Sequence, residues 1–290
     1  MTGNPATIIE SILENPQGSG ISIAAGLHGP ALYLSREEMI SRGCAVANLF
    51  ASTGVEPGDR VLLMLPTGKP LLVATLATWL AGAVTVILPP ATSNGSKEFY
   101  RKSLASIIRS AKPKIIVASE QVFTLLAGAL PPGINVLLDF EIIETKITDS
   151  EPRCLPSPGD LAHIQYTSGS TNFPKGAAVR HSNLTANARA IAERMEATTA
   201  DKVVRWCPMH HDMGFIGGML VPLWSGMGLS LIPTEKFLGD PGIWLRTISD
   251  CGGTISVGPT FGYEIVGSKV SDRSRHSGAA SHNSDAFSGK

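Results

Sequence analysis

Short runs of apolar residues recur along the chain and predict the strands of a sheet. Most of them are separated by segments long enough for a helix, and this alternation is typical of parallel α/β units. The runs are Val61–Leu65, Val84–Leu88, Lys114–Val117, Asn135–Leu138, Ala162–Tyr166, Lys202–Trp206, Gly228–Ile232 and Thr254–Val257. We therefore expect residues 35–268 to have an α/β fold, with open, largely parallel sheets flanked by helices.

Local signals place a helix and a hairpin ahead of the first of these runs. The segment Ser35–Ser52 begins with a serine followed three residues later by Glu38, the pattern of a capping box, and its apolar residues fall on one face of a helix. Before it, Ile21–Ala25 and Ala31–Leu34 flank two glycines and predict a small hairpin. After it, Pro57-Gly58-Asp59 predicts a turn into the next strand.

The uncharged stretch Leu71–Leu88 has two interpretations. At about 18 residues it reaches the lower bound for a helix that crosses a bilayer. The interpretation that we favour divides it into a buried helix over Lys69–Leu80, a turn at Gly82 and a strand that ends before Pro89. Such uncharged runs are typical of sheets covered by helices on both faces, so no membrane span is predicted.

Composition narrows the class of protein. With 290 residues, 43% hydrophobic and 17% charged, the chain can bury a large core. Lysine plus arginine equals aspartate plus glutamate at 24 each, so nothing in the net charge indicates nucleic acid as a partner. The four cysteines form no C-x-x-C pair, and no signal peptide is evident at the N-terminus. We expect a reducing, cytoplasmic location.

A loop rich in hydroxyl groups and glycine follows the apolar run that ends at Tyr166 and precedes a helix expected near Ser182. Backbone N–H groups and hydroxyls in such a loop can bind phosphate oxygens, and a lysine adds a point charge. The glycines allow close approaches that a Cβ would block. The candidate phosphate-binding residues are Thr167, Ser168, Gly169, Ser170, Thr171, Lys175 and Gly176.

The loop is not the usual P-loop, because Pro174 stands where that motif requires glycine. The string from Tyr166 to Gly176 instead resembles the signature loop of the adenylate-forming (AMP-dependent synthetase/ligase) superfamily, with Asn172 where most members have glycine. Asparagine also tolerates a left-handed backbone, so this departure is compatible with function. The alternative is a surface turn without a function.

A second segment, from Trp206 to Gly218, is similar to the His-Asp-Met-Gly-Leu-Ile-Gly segment of fatty acyl-AMP ligases. The resemblance implies that His211 lies between the nucleotide and acyl pockets, with a catalytic role beside Lys175. It also implies that Met213, Gly214 and Gly217 line the acyl pocket from a helix. Two alternatives stay open: His211 caps this helix, and the glycines serve close helix packing. The two adjacent histidines and Asp212 have no further ligand at helical spacing, so no metal ligands are predicted.

A third segment, Ile255–Tyr263, resembles the strand and turn that line the acyl tunnel of the family, with Phe261 and Tyr263 as candidate wall residues. Aromatic side chains of a core would give the same pattern. An apolar lining would bind a fatty acid through burial at about 0.8 kcal/mol per methylene.

The resemblance covers about residues 20–270 and implies a reaction. A fatty acid carboxylate attacks ATP, with Mg²⁺ as cofactor, and forms an acyl-adenylate and pyrophosphate. The resemblance suggests an acyl carrier protein or a polyketide synthase as a partner, and a ligase of the long-chain acyl-CoA synthetase type is the alternative. We expect residues 1–270 to be a partial N-terminal domain of the adenylate-forming fold and 271–290, which are serine-rich, to be a disordered polar tail.

The same resemblance limits what the chain is expected to do alone. The family's adenine-binding segment, magnesium-supporting glutamate, ribose-binding aspartate and C-terminal lysine cannot be located in the sequence. We therefore expect a truncated ligase that is incompetent by itself. The alternative is a non-catalytic fragment or an interaction protein with the same ancestry.

Overall fold

The computed structural model describes residues 6–25, 31–90, 97–126, 130–147, 151–167 and 175–268. The candidate residues Ser168, Gly169, Ser170 and Thr171 and the predicted tail, 271–290, lie outside the described residues.

The described part contains helices and strands in alternation. The helices are α1 (Ile8–Glu14), α2 (Arg36–Ser52), α3 (Lys69–Leu80), α4 (Lys97–Ala111), α5 (Glu120–Leu125), α6 (Asp139–Glu144), α7 (His181–Arg194), a π-helix (Met213–Leu220), α8 (Val221–Ser225), α9 (Thr234–Gly239), α10 (Gly242–Cys251) and α11 (260–268). The strands are β1 (Ile21–Ile23), β2 (Leu32–Leu34), β3 (Arg60–Met64), β4 (Val84–Ile87), β5 (Ile115–Ala118), β6 (Asn135–Leu138), β7 (Leu161–Thr167), β8 (Lys175–Arg180), β9 (Lys202–Arg205), β10 (Gly228–Leu231) and β11 (Ile255–Ser256).

The strands form two sheets. The first has six strands in the order β6-β5-β3-β4-β7-β8, and its neighbours are parallel except for β7 and β8. The second has five strands in the order β11-β9-β10-β1-β2, and its neighbours are parallel except for β1 and β2. The predicted fold class, open and largely parallel sheets flanked by helices, is confirmed. Each sheet ends in one antiparallel edge strand.

Helices cover both faces of both sheets. Alternate residues of β3 show this: Val61 and Leu63 belong to a core shared with α2, α3 and the second sheet, whereas Leu62 and Met64 pack with α4 and α5. A third core on the outer face of the second sheet joins β9 to α9 and α10. Because β3 is buried on both faces, it is an unbroken apolar run.

The predicted buried helix is confirmed over Lys69–Leu80, and all of its residues from Leu71 to Leu80 are buried. Within the described residues no helix is long and apolar enough to cross a membrane. Gly58, in the turn before β3, and Gly82, in the turn after α3, have positive φ angles of 84° and 71°. Glycine adopts this conformation without the steric cost that a Cβ would bring.

Of the two hydrogen bonds in the predicted capping box of α2, the bond to the Ser35 hydroxyl is confirmed and the bond to the Glu38 carboxylate is not formed. The hydroxyl of Ser35 accepts a hydrogen bond from the Glu38 amide at 3.0 Å, as a capping box requires. The Glu38 carboxylate, however, accepts from Arg42 at 2.8 Å and Lys69 at 2.6 Å. These two cations offer charge-assisted bonds that are stronger than a bond from a neutral backbone amide.

Two elements were not predicted. Helix α1 has a complete capping box between Thr7 and Glu10 and buries Ile8, Ile9 and Ile12. Strand β8 lies between the phosphate loop and α7, where we expected the loop to lead directly into the helix. The predicted hairpin near the N-terminus is confirmed with shorter strands, β1 and β2.

Candidate functional site

The candidate phosphate loop connects the two strands of the β7–β8 hairpin. The pairing of the hairpin extends from Leu161 and Arg180 to Thr167 and Lys175, the last residues before the loop on either side. Since β7 is parallel to its neighbour β4, the loop leaves the sheet at the carboxyl end of β7. Ligands of open α/β sheets bind at this edge.

The described end of the hairpin has one cation and one sterically required glycine. The side chain of Lys175 is exposed, so its ammonium group is accessible to a ligand. A Cβ on Gly176 would lie 2.8 Å from Ile164 Cγ2 and 3.1 Å from Tyr166 Cζ across the hairpin. Tyr166 is in turn held by α4, because its hydroxyl donates to Ser110 Oγ at 3.0 Å. Gly176 thus permits the close approach that was expected, although the group that approaches is the Tyr166 ring.

The segment that contains His211 follows the carboxyl end of β9. The His211 side chain is 64% exposed, and its Nδ1 lies 2.7 Å from Asp212 Oδ1. Asp212 caps the following π-helix, since its carboxylate accepts from the Met213 amide at 2.7 Å, whereas His211 Nδ1 is 3.4 Å from that amide. The better cap is therefore Asp212, and most of the His211 ring faces solvent.

The π-helix that carries Met213, Gly214 and Gly217 is unusual in its hydrogen bonding, and π-helical turns are frequent at functional sites. Met213 is 37% exposed. A Cβ on Gly217 would have no described heavy atom within 4 Å beyond its chain neighbours and its own helix backbone, so this position faces open space. A Cβ on Gly214 would overlap the Pro208 carbonyl oxygen and lie 2.7 Å from Arg205 Nη1. Gly214 thus fits the alternative of close packing, and Gly217 fits the lining of a pocket.

Arg205, at the end of β9, lies beneath the π-helix and is 1% exposed. Burial lowers the pKa of its guanidinium to about 10. Its Nη1 donates to the Cys207 carbonyl oxygen, while Nε and Nη2 have no partner among the described residues. A Cβ on Gly218 would fall well inside 3.0 Å of Arg205 Cδ, so glycine at this position makes room for the arginine.

Phe261 and Tyr263 lie near the start of α11, which corrects the expected strand and turn: β11 ends at Ser256 and the helix begins at residue 260. Phe261 is 49% and Tyr263 54% exposed. The Phe261 ring packs edge-to-face on Trp206 at 5.7 Å, and the Tyr263 ring lies 5.0 Å from Trp244. Since β9 and β11 are parallel neighbours, their carboxyl ends lie at the same edge of the sheet. The segments that follow them, with Phe261 and Tyr263 on one and His211 on the other, therefore start from that edge.

A hydrogen bond joins the hairpin to the His211 segment. Gln165 Nε2, on β7, donates to the His210 carbonyl oxygen at 2.8 Å. Gln165 also contacts the ring of His163, which is 2% exposed, and burial lowers the pKa of His163 to about 4. Burial and the neighbouring His211 lower the pKa of His210 to about 4 as well. Gln165, His163 and His210 were not among the predicted site residues. His163 and Gln165 form a pair of polar residues inside an apolar strand, and this pattern is the signal that could have identified them.

A groove of about 760 Å³ lies elsewhere, between the C-terminal ends of α1, α7 and α8. It is lined by Glu14, Glu193, Trp224 and neighbouring residues and contains none of the candidate site residues. The described residues contain no group of three or more His, Cys, Asp or Glu side chains that could hold a metal ion.

Comparison with known proteins identifies the family of the chain. Residues 27–285 match the family of AMP-binding enzymes, and the chain belongs to this family. The match extends past Val270, where we expected the resemblance to end.

Among curated relatives, a putative acyl-CoA synthetase of Caulobacter vibrioides is 30% identical over 89% of this chain and 47% of its own length. The long-chain-fatty-acid–AMP ligase FadD26 of Mycobacterium marinum is 30% identical over 84% of this chain and 43% of its own. The chain thus spans about half the length of the curated relatives it matches.

Solved structures show the same fold. A structure of fatty acyl-adenylate ligases from E. coli and L. pneumophila superimposes with a TM-score of 0.82 at 29% identity, over 90% of this chain and 48% of that one. The L. pneumophila fatty acyl-adenylate ligase in complex with acyl adenylate and pyrophosphate has a TM-score of 0.79 at 26% identity, over 89% of this chain and 45% of that one.

Proposed function

We propose that this chain acts in the ATP-dependent activation of a fatty acid to an acyl-adenylate. In this reaction a carboxylate oxygen attacks the α-phosphorus of ATP and pyrophosphate leaves. The observation that carries the proposal is the meeting of two segments at one edge of the fold: the hairpin that presents Lys175 and the segment that presents His211, joined by Gln165 and His210. The catalysis of such a reaction depends mainly on positioning and on neutralising charge.

In this proposal one region of the site binds the phosphates of ATP and another binds the acyl chain. Lys175, with the hydroxyl-rich loop that precedes it, would hold the β- and γ-phosphates that leave as pyrophosphate. The acyl chain would contact the exposed side chains of Met213, Phe261 and Tyr263 and would occupy the open space beside Gly217. His211, whose ring is largely exposed, would lie between the two regions.

The family reaction uses Mg²⁺, and the described residues offer no preformed site for it. Magnesium is commonly held by one or two carboxylates together with substrate phosphates. Asp212 beside His211 is already engaged as the cap of the π-helix. The described residues therefore offer no preformed cluster of ligands for the ion.

Two finer parts of the proposal concern the cellular setting. An acyl carrier protein or a polyketide synthase would accept the acyl group, and the reaction would take place in the cytoplasm. The balance of 24 basic and 24 acidic residues is compatible with a small-molecule substrate and gives no support to nucleic acid as a partner.

Binding of inorganic pyrophosphate and ATP to the purified chain tests the phosphate-binding role of Lys175. The variant Lys175→Ala is expected to bind both ligands about tenfold more weakly, since it removes a charge-assisted contact of about 1.4 kcal/mol. Lys102→Ala is the matched control, because Lys102 is also exposed but lies on α4 in an ion pair with Glu98. Equal affinities in the wild type and Lys175→Ala would contradict the proposal and favour a non-catalytic fragment or an interaction protein.

A further inference from the structure

The two halves of the candidate site belong to different sheets. Lys175 is on β8 of the six-stranded sheet, whereas His211 follows β9 of the five-stranded sheet. Their relative position therefore depends on contacts between the sheets as well as on the strands themselves. Gln165 makes such a contact, since Nε2 donates at 2.8 Å to the carbonyl of His210, the residue before His211.

Gln165 is itself held by a buried chain of hydrogen bonds. Its Oε1 lies 3.1 Å from His163 Nε2, and His163 Nδ1 lies 2.9 Å from the hydroxyl of Thr85 on β4. The His163 ring packs against Phe215 of the π-helix with 4.6 Å between centroids. Thr85 and His163 are 0% and 2% exposed, so water has little access to this chain.

The chemistry of the groups fixes the direction of the two bonds that Gln165 makes with His210 and His163. Gln165 Nε2 faces a carbonyl, so the amide oxygen must face His163, and an amide oxygen only accepts. His163 Nε2 must therefore carry the proton and donate. A neutral ring then has an unprotonated Nδ1, which accepts from the Thr85 hydroxyl. The single proton of the Thr85 hydroxyl has a second acceptor, the Ala162 carbonyl oxygen at 3.0 Å, which also accepts from Trp79 Nε1 at 2.8 Å.

We propose that Gln165 is a positioning residue for the acyl-adenylate site, oriented by His163 and Thr85, and that it sets the position of the His211 segment relative to the Lys175 hairpin. This inference rests on the proposed function. The proposed site residues contact the substrate from two directions, and Gln165 acts through His211 and the hairpin. A misplacement of about 1 Å between such groups costs about a hundredfold in rate, so a short, buried connection between them has a functional consequence.

Three substitutions separate the parts of this hydrogen-bond relay, which runs from Gln165 through His163 to Thr85. Gln165→Met keeps the length of the side chain and removes both bonds. Gln165→Glu keeps an acceptor for His163 Nε2–H but cannot donate to the His210 carbonyl. Thr85→Val keeps the shape of Thr85 and removes the hydroxyl. The matched control is Thr75→Val, since Thr75 is equally buried and its hydroxyl donates to Leu71 within α3, away from the relay.

Two ligands measure the positioning. Pyrophosphate contacts the hairpin alone, whereas a long-chain acyl sulfamoyl-adenosine, an analogue of the acyl-adenylate, spans both halves. We expect Gln165→Met and Gln165→Glu to bind the analogue about tenfold more weakly, Thr85→Val to show a smaller loss in the same direction, and all three to bind pyrophosphate within about twofold of wild type. A loss of analogue affinity no larger than that of Thr75→Val, or an equal loss for both ligands, would overturn the proposal.

Nitrogen-15 NMR of histidine-labelled protein gives a readout that does not depend on ligand binding. The proposal requires the Nε2–H form of His163 in the wild type, its retention in Gln165→Glu, and a shift of the His211 resonances in both Gln165 variants but not in Thr75→Val. An Nδ1–H ring, or unchanged His211 resonances, would refute it. If the wild type binds neither ligand, the proposed function fails, while the positioning role is still decided by these resonances.

Discussion

At the scale of single residues, buried histidines make the stability of the fold depend on pH. Burial lowers the pKa of His163, His181 and His210 to about 4, against 6.5 for an exposed histidine. Below pH 6.5 these histidines bind protons in the unfolded chain but stay neutral in the folded chain. Their contribution to the free energy of unfolding is therefore fully present above pH 6.5 and is lost as the pH falls towards 4. We expect the free energy of unfolding to drop by roughly 2 kcal/mol per histidine between pH 7 and pH 5, measured by denaturant titration.

A single variant assigns part of this loss to one ring. His181 is 1% exposed, packs against Trp79 and senses the charge of Asp160. In His181→Leu the difference in unfolding free energy between the two pH values should shrink by the share of one histidine. A difference that stays as large as in the wild type would show that His181 is not buried as a neutral ring.

Sequence patterns predict features whose chemistry is local. Gly176 was predicted as a phosphate-binding residue, whereas the atoms that a Cβ there would meet belong to Ile164 and Tyr166. The serine cap of α2 follows from residue type and spacing. The role of Gln165 does not, because it depends on a loop of the other sheet more than forty positions away along the chain. Gly214 and Gly217 look alike in sequence, and they differ because Arg205 and Pro208 lie next to the first.

At the scale of elements, the apolar runs of the two sheets and of α3 were predicted, whereas the exposed strand β8 and the short helix α1 were not. The limits of α3 agree with the predicted Lys69–Leu80, because its apolar run is bounded by clear turn signals. Strand β8 is exposed at nearly every position, so it lacks the apolar run by which strands were identified. It forms because it pairs with β7, which is information that a local pattern does not contain.

The π-helix offers a matched pair of substitutions one residue apart. Gly218→Ala places a Cβ against the buried Arg205, which has little room to move, so we expect a loss of about 1–3 kcal/mol in unfolding free energy. Gly217→Ala places its Cβ in open space and should be neutral or stabilise the helix by up to about 1 kcal/mol. Thermal and denaturant unfolding of the two variants measure this difference. Equal losses would contradict the described packing of Arg205.

At the scale of the whole molecule, the alternation of apolar runs predicted the α/β class but not the division into two sheets. A strand of either sheet is a short apolar run, and β3 and β10 are both buried along most of their length. The pairing of β1 with β10, which joins Ile21 to Leu229 across most of the chain, is decided by tertiary packing. This division places the candidate site where the two sheets meet.

The last prediction concerns catalysis by the 290-residue chain on its own, which spans about half the length of the relatives it matches. We expect ATP–pyrophosphate exchange with a long-chain fatty acid to be several orders of magnitude slower than in a full-length fatty acyl-AMP ligase assayed beside it. In the proposed site Lys175 and its loop would neutralise part of the triphosphate, and the described residues contain no cluster of three or more His, Cys, Asp or Glu side chains that could hold a metal ion. Each missing charge-stabilising group costs about 10²–10³ in rate.

The Lys175→Ala variant separates a slow reaction of this site from a contaminant. Residual exchange that belongs to the chain should fall further in Lys175→Ala and stay unchanged in Lys102→Ala, whereas exchange by a contaminating ligase would be the same in all three proteins. Exchange at the rate of the full-length enzyme, abolished in Lys175→Ala, would contradict the expected incompetence while supporting the role of Lys175. Slow residual exchange would mean that Lys175 holds pyrophosphate without the remaining groups that stabilise the transition state. Exchange at the rate of the full-length enzyme would mean that this chain supplies all of those groups.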